Sequence, residues 1–216
     1  MTTNQLGLRE RKKQNTRRAL RESALQLALE HGPENVRVED IAEAAGVSPR
    51  TYNNYFPSRE HAIVAAVTAE REAQVAAAVT AQPSTTRLSD AITDAIVTQY
   101  TDPGEERRDA LLLITTRPAL REVFLGSTRA MEQPLADAIA DRLDGADRRA
   151  AHVLAASAAA AVRIALEEWL RPATDALGTS GLVTVSGALS DELRAALSPL
   201  APAFDAAERS RPDSRR

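Results

Sequence analysis

The chain has 216 residues, 44% of them apolar and 26% charged, and its 11 prolines and 9 glycines are spread along it, which excludes collagen-like, low-complexity and disordered classes. A net charge of −3 hides a gradient: residues 1–21 carry seven cations (Arg9, Arg11, Lys12, Lys13, Arg17, Arg18, Arg21) against the single anion Glu10, and the remainder is net acidic. With no cysteine and three well-separated histidines there is no spacing for a disulfide, a thiolate nucleophile or a metal, so no cofactor is expected.

Leu20, Ala24, Leu27 and Ala28 recur at helical spacing behind a basic face, which predicts a first helix over about 9–30 after a flexible arm at 1–8. His31, Gly32 and Pro33 stop it, since glycine accepts the left-handed conformation past a last turn and proline cannot continue the helix. A second, short helix at about 38–45 turns Ile41, Ala42 and Ala45 inward and closes at Gly46. Ser48 is an N-cap, and Pro49 suits the first helical position of a third helix. That helix stays short because Phe56 precedes Pro57, and a residue before proline is pushed out of helical geometry. Ser58 opens a long, unbroken fourth helix reaching about Gln82. Further helices are predicted at about 85–101, 104–115, 118–143, 147–171 and 181–200, separated by prolines and glycines, and residues 205–216 lack periodicity and should fray. The fold class is all-α, with a helix-turn-helix domain at 1–57 and a larger helical body at 58–204. No apolar run reads as a bilayer span and the N-terminal stretch carries no leader-like run, so the expected location is cytoplasmic with no membrane partner.

The third helix concentrates the functional signal. Tyr52, Tyr55 and Phe56 share one helical face at i, i+3, i+4, while Arg50, Asn53 and Asn54 repeat that spacing on another. Arginine and asparagine are the side chains suited to bidentate reading of guanine and adenine edges in the major groove, so these three are the candidate base readers. Ser48, Thr51 and Tyr55 flank them with hydroxyls for phosphate oxygens, and Arg17, Arg18 and Arg59 add salt-sensitive phosphate contacts.

The run VRVEDIAEAAGVSPRTYNNYFPSREHAI, within a match over about 9–64, resembles the signature of the TetR family of transcriptional regulators: a Gly-Val-Ser turn, a T-x-x-x-Y-F recognition helix and a Pro-Ser-basic-Glu opening of the next helix. The resemblance implies a homodimer that binds double-stranded operator DNA, a C-terminal domain that takes a small molecule, and repression relieved by that ligand. Two departures stand out. Arg37 occupies a position that commonly carries a Thr or Ser cap; it cannot cap and instead is a candidate phosphate contact, with Asp40 offsetting part of the loss. Asn53-Asn54 replaces residues that are often aromatic or basic, which predicts some preference for adenine and puts transfer of any known operator in doubt.

Beyond residue 64, LLLITTRPALREVFLGSTRAMEQPLADAIADRL and an alanine-rich helix ending in EEWL are similar to actinobacterial members of the family, including mycofactocin-type regulators. In the family the last two helices build the dimer; Val153, Ala156, Ala160 and Ile164, then Leu182, Leu189, Leu193 and Leu197, suit that seam or an intramolecular core equally. A mostly apolar effector pocket would draw on Leu88, Ile92, Ile96, Leu112, Leu113, Phe124 and Leu135, with Gln99, Tyr100, Arg129 and Gln133 as polar anchors, and each of these also reads as plain core or surface. Arg163, alone among alanines, either pairs with a carboxylate, reaches the seam or meets an anionic ligand. The effector would favour an arrangement in which the two recognition helices no longer match major grooves about 34–36 Å apart, with the fourth helix as a continuous lever. Catalysis is disfavoured: the paired acids Glu105-Glu106 and Glu167-Glu168 point apart on a helix and no histidine has a near nucleophile. A DNA-binding helical protein answering to a protein partner, or to no signal, is the other alternative.

Overall fold

A computed structural model describes residues 2–101, 108–145, 147–171 and 188–210. Among them the structure is helical throughout: α1 (Thr2–His31), α2 (Val38–Ala44), α3 (Pro49–Asn53), α4 (Arg59–Thr68), α5 (Arg71–Ala81), α6 (Leu88–Thr101), α7 (Arg108–Thr116), α8 (Pro118–Ser127), α9 (Glu132–Arg142), α10 (Arg148–Trp169), α11 (Leu189–Leu197) and α12 (Ala201–Arg209). They divide into two compact units, Met1–Ala69 with Glu106–Phe124, and Glu70–Glu105 with Leu125–Arg216. The expected boundary lay at 57/58, whereas packing groups α4 and the Glu106–Phe124 segment with the first unit.

In the first unit α1 packs on α2 and α4, α2 packs on α3, and α7 packs on α1 and α4. Leu20, Ala24, Ile41, Tyr52, Ile63 and Ile114 are fully buried there. Gly32 (φ +81°) and Gly46 (φ +67°) make the two turns in left-handed geometry, and Val47 N–H donates to the Ala42 carbonyl at 2.9 Å to close the second.

In the second unit α10 runs between α9 and α11, α5 packs on α6 and α9, and α6 packs on α11 and α12. Its core holds Leu88, Ile92, Ile96, Leu135, Ile139, Val162, Leu193 and Phe204. Each such side chain contributes about 1.5–3 kcal/mol through the apolar area it removes from water.

Five sequence expectations need correction. α1 starts at Thr2, so no arm precedes Arg9. The fourth helix is not one rod: it breaks at Ala69-Glu70, where no proline or glycine marks it, next to Thr68, whose hydroxyl donates to the Val64 carbonyl at 3.2 Å, a back-bond that bends helices. The helix expected at 118–143 is interrupted by a 3-10 turn at Thr128–Met131, after which Pro134 sits in the first turn of α9, where its missing N–H costs nothing. Residues 205–209 do not fray, because α12 is anchored by buried Phe204 and by the carboxylates of Asp205 and Glu208. The predicted helix 181–200 is described only from Ala188, as α11, and Leu182 lies outside the described residues. α10 is also long and apolar enough to span a bilayer by length and composition, contrary to the expectation; half of that stretch is buried against neighbouring helices, and it includes Arg163, as in a core helix.

Candidate nucleic-acid interface

Helix α3 begins where Ser48 caps it. The Ser48 hydroxyl accepts the Thr51 N–H at 3.1 Å and pairs with the Thr51 hydroxyl at 2.9 Å. On the inner face Tyr52 is fully buried and Phe56 nearly so, their ring centroids 5.9 Å apart. The Tyr52 hydroxyl donates to the Ser58 carbonyl at 2.8 Å, tying α3 to the start of α4. Burial, and then the Glu60 carboxylate, push this phenol up to about 12. On the outer face Arg50, Asn53 and Asn54 are all exposed. Tyr55 and Thr51 lie half-buried at the edge.

The candidate phosphate residues fall into distinct settings. Arg17 is exposed, with its guanidinium 5.4 Å from the Phe56 ring centroid, and Arg18 pairs with Glu22 at 3.8 Å one turn along α1. Arg37 is exposed at the start of α2; its guanidinium has only donors and cannot cap, but its backbone N–H is taken by the Asp40 carboxylate at 3.0 Å, a firmer compensation than the dipole effect expected. Arg59 is half-buried. Its Nη1 donates to the carbonyls of Val36 (2.8 Å) and Glu34 (3.2 Å) and its Nε to Glu60 (2.8 Å), so these two nitrogens hold the approach to α2 in place. Burial alone would raise Glu60, but hydrogen bonds from Ser58 and Arg59 outweigh it and hold the carboxyl below its usual range.

Sequence reasoning missed one part of this surface. Arg9, Lys12 and Lys13, on the early turns of α1, line a cleft of about 740 Å³ together with Thr51, Asn54 and Tyr55. Val47, Thr16 and Glu10 complete its walls. The basic run and the predicted helix are visible in the sequence, but that these cations face α3 follows only from how α1 packs on the turn before it.

The residues proposed for an effector pocket scatter. Leu88, Ile92, Ile96 and Leu135 are fully buried in the second unit, and Tyr100 is buried there with the guanidinium of Arg71 4.4 Å from its ring centroid. Burial raises the Tyr100 phenol despite that cation. Arg71, only 6% exposed, carried no sequence signal, since it stands in what reads as a continuous polar helix. Gln99 is half-buried, Arg129 is exposed, and Gln133 is exposed and bonded to Asp137 in its own helix. Leu112, Leu113 and Phe124 belong to the first unit, and Leu112 is 63% exposed and so is not a core or pocket residue of that unit. Arg163 pairs with Glu167 one turn on, on a half-exposed face of α10, and not with a carboxylate inside.

The seam candidates divide as well. Val153 (59% exposed), Ala160 and Ile164 (48% exposed) form an open apolar stripe on α10, with Ala156 half-buried beside it. Leu193 and Leu197 are buried between α11 and its neighbours inside the subunit, the core alternative for these two, while Leu189 is half-buried. Met131 is core, and Trp169 is half-buried with an indole N–H that finds no partner among the described residues.

Comparison with known proteins supplies the lineage. Residues 20–66 match the family of bacterial regulatory proteins of the tetR type, and residues 82–205 match the MftR C-terminal domain. The chain is 34% identical over 186 residues to the HTH-type transcriptional regulator TcmR of Streptomyces glaucescens, covering 81% of this chain and 82% of that one. It shares its fold, at 17% identity and a TM-score of 0.51, with the TetR-family repressor FadR of Thermus thermophilus, solved in complex with lauroyl-CoA; the match covers 86% of this chain and 93% of that one. The chain therefore belongs to the TetR family of DNA-binding transcriptional regulators, with an MftR-type C-terminal domain, and is not an enzyme.

Proposed function

We propose that the protein is a homodimeric repressor in the cytoplasm that binds a palindromic operator through α3 and leaves it when a small, mostly apolar effector binds the second unit. Members of the family bind operator DNA and small-molecule effectors, often as dimers. The observation that carries the reading here is the division of α3: Tyr52 and Phe56 are buried and anchored while Arg50, Asn53 and Asn54 are exposed. The apolar stripe of Val153, Ala160 and Ile164 supports self-association, because an isologous interface needs a self-complementary surface. Effector control is a population shift, and strong release requires a preference of several kcal/mol for the non-binding arrangement. The break at Ala69-Glu70 supports transmission through two helices in series over a single rod.

Selection of binding sites from random duplexes tests the proposal. The expected product is a palindrome with half-sites one helical turn apart, lost in Arg50→Ala and in an Ile164→Glu variant that sediments as a monomer. Failure to enrich any sequence, or enrichment by a strictly monomeric wild type, overturns it. A compound that raises the melting temperature while dissociating the selected duplex identifies the effector; if compounds that stabilise the protein leave the duplex bound, effector release falls.

A further inference from the structure

We infer that Asn54 grips the DNA strand and does not read bases, and that the early turns of α1 complete the strand-gripping wall through Arg9, Lys12 and Lys13. This rests on the reading of α3 as a recognition helix and assigns its residues more finely. Asn54 belongs to two stripes of α3 at once: it stands at i+4 from Arg50, but also at i+3 from Thr51, whose own i+4 neighbour is Tyr55. The geometry separates the two. Thr51, Asn54 and Tyr55 line the cleft of about 740 Å³ opposite α1, and Arg50 and Asn53 do not.

The position of Asn54 along the helix agrees. A recognition helix presents its N-terminal residues to base edges. Arg50 lies in the first turn of α3, whereas Asn54 is its C-cap, with a backbone N–H already spent on the carbonyls of Thr51 and Tyr52. The chemistry of the cleft also favours a phosphodiester strand. One wall carries three cations, which neutralise phosphate oxygens and release condensed counterions. The other offers a phenol hydroxyl and a carboxamide, groups that bond phosphate oxygens and fix register without reading sequence. Glu10 is the discordant member. It lines the same cleft among three cations, and its carboxylate opposes the strand and weakens binding.

The test uses the full chain and its own selected duplex, with a scrambled duplex as control, over a range of salt. Asn54→Ala should weaken both duplexes by the same several-fold factor and return an unchanged sequence in a repeated selection, while Asn53→Ala should change the sequence returned. The double variant Lys12→Gln, Lys13→Gln should lower the slope of log affinity against log salt by about 2 with base preference intact. Glu10→Gln should tighten both duplexes. All these residues are exposed, and an unchanged thermal melt confirms that each variant is folded. The inference is overturned if Asn54→Ala shifts the preferred base at any position, or if the lysine variant keeps the wild-type salt slope. A wild-type chain that selects no sequence brings down the recognition-helix reading, and this assignment with it.

Discussion

The two units differ in how far along the chain the groups that secure their helix ends are drawn from. In the first, the caps are local: Ser48 takes the N–H of Thr51, Asp40 takes the N–H of Arg37, and Tyr52 reaches six residues ahead to Ser58. In the second, α10 also has a local cap, Asp147 taking the N–H of Ala150 at 2.9 Å, but the end of α5 and the start of α6 are held from far along the chain. Arg142 donates to the carbonyls of Val79, Gln82, Pro83 and Thr86 at 2.7–3.3 Å, holding the end of α5 and the loop after it. Asp205 accepts from Ser89 at 2.9 Å and pairs with Arg87, and Glu208 accepts the Leu88 N–H at 3.1 Å, so α12 caps the start of α6. A locally capped helix is specified where it forms, while a remotely capped one depends on loop closure, which for the start of α6 spans more than half the chain.

That contrast can be broken or sharpened by substitution. The largest effect is expected from Leu193→Ala, which empties a fully buried site in the second unit and should cost about 3 kcal/mol in urea unfolding at every protein concentration. A cost that vanishes in dilute monomer would instead return Leu193 to the dimer seam. Next comes Arg142→Met, which keeps the apolar stem but leaves four carbonyls without their cation and should cost about 2 kcal/mol. Hydrogen exchange should then quicken in α5 and α6 and stay unchanged in α2 and α3; equal loss in both groups would show that the units are not separately capped.

The smallest effect is Tyr52→Phe, about 1 kcal/mol, with exchange quickening around α3 and α4. It also has a pH signature. The folded phenol titrates near 12 against an ordinary value of about 10, so its contribution is complete below pH 10 and is lost as the pH climbs toward 12. The phenylalanine variant should lack that alkaline decline, and an identical decline in both proteins would refute the assignment.

The same contrast explains what could be read from the sequence. The DNA-facing helices were legible because their signals sit within a few residues: Gly46 for the turn, Ser48 and Pro49 for the start of α3, Pro57 for its end, and the spacing of Tyr52 and Phe56 for its buried face. The exposure of Arg50, Asn53 and Asn54 follows from that spacing alone. The break between α4 and α5 was not legible, as VTAERE contains no helix breaker. Nor was the order in residues 205–209, because Asp205 and Glu208 gain their roles only beside Ser89 and Leu88, and Arg71 gains its burial only beside Tyr100. Leu193 and Leu197 show the limit of apolar periodicity, which marks a face to be covered without saying whether the cover is the same chain or another.

The clasp between α12 and α6 has a consequence for biosynthesis. While the polypeptide is still threaded through the ribosome, Leu88 waits for a carboxylate encoded some hundred codons later, at Glu208. The nascent body should lean on chaperones until synthesis is nearly done, and a premature stop codon before Phe204 should yield an aggregating product with its amino-terminal recognition segment largely formed.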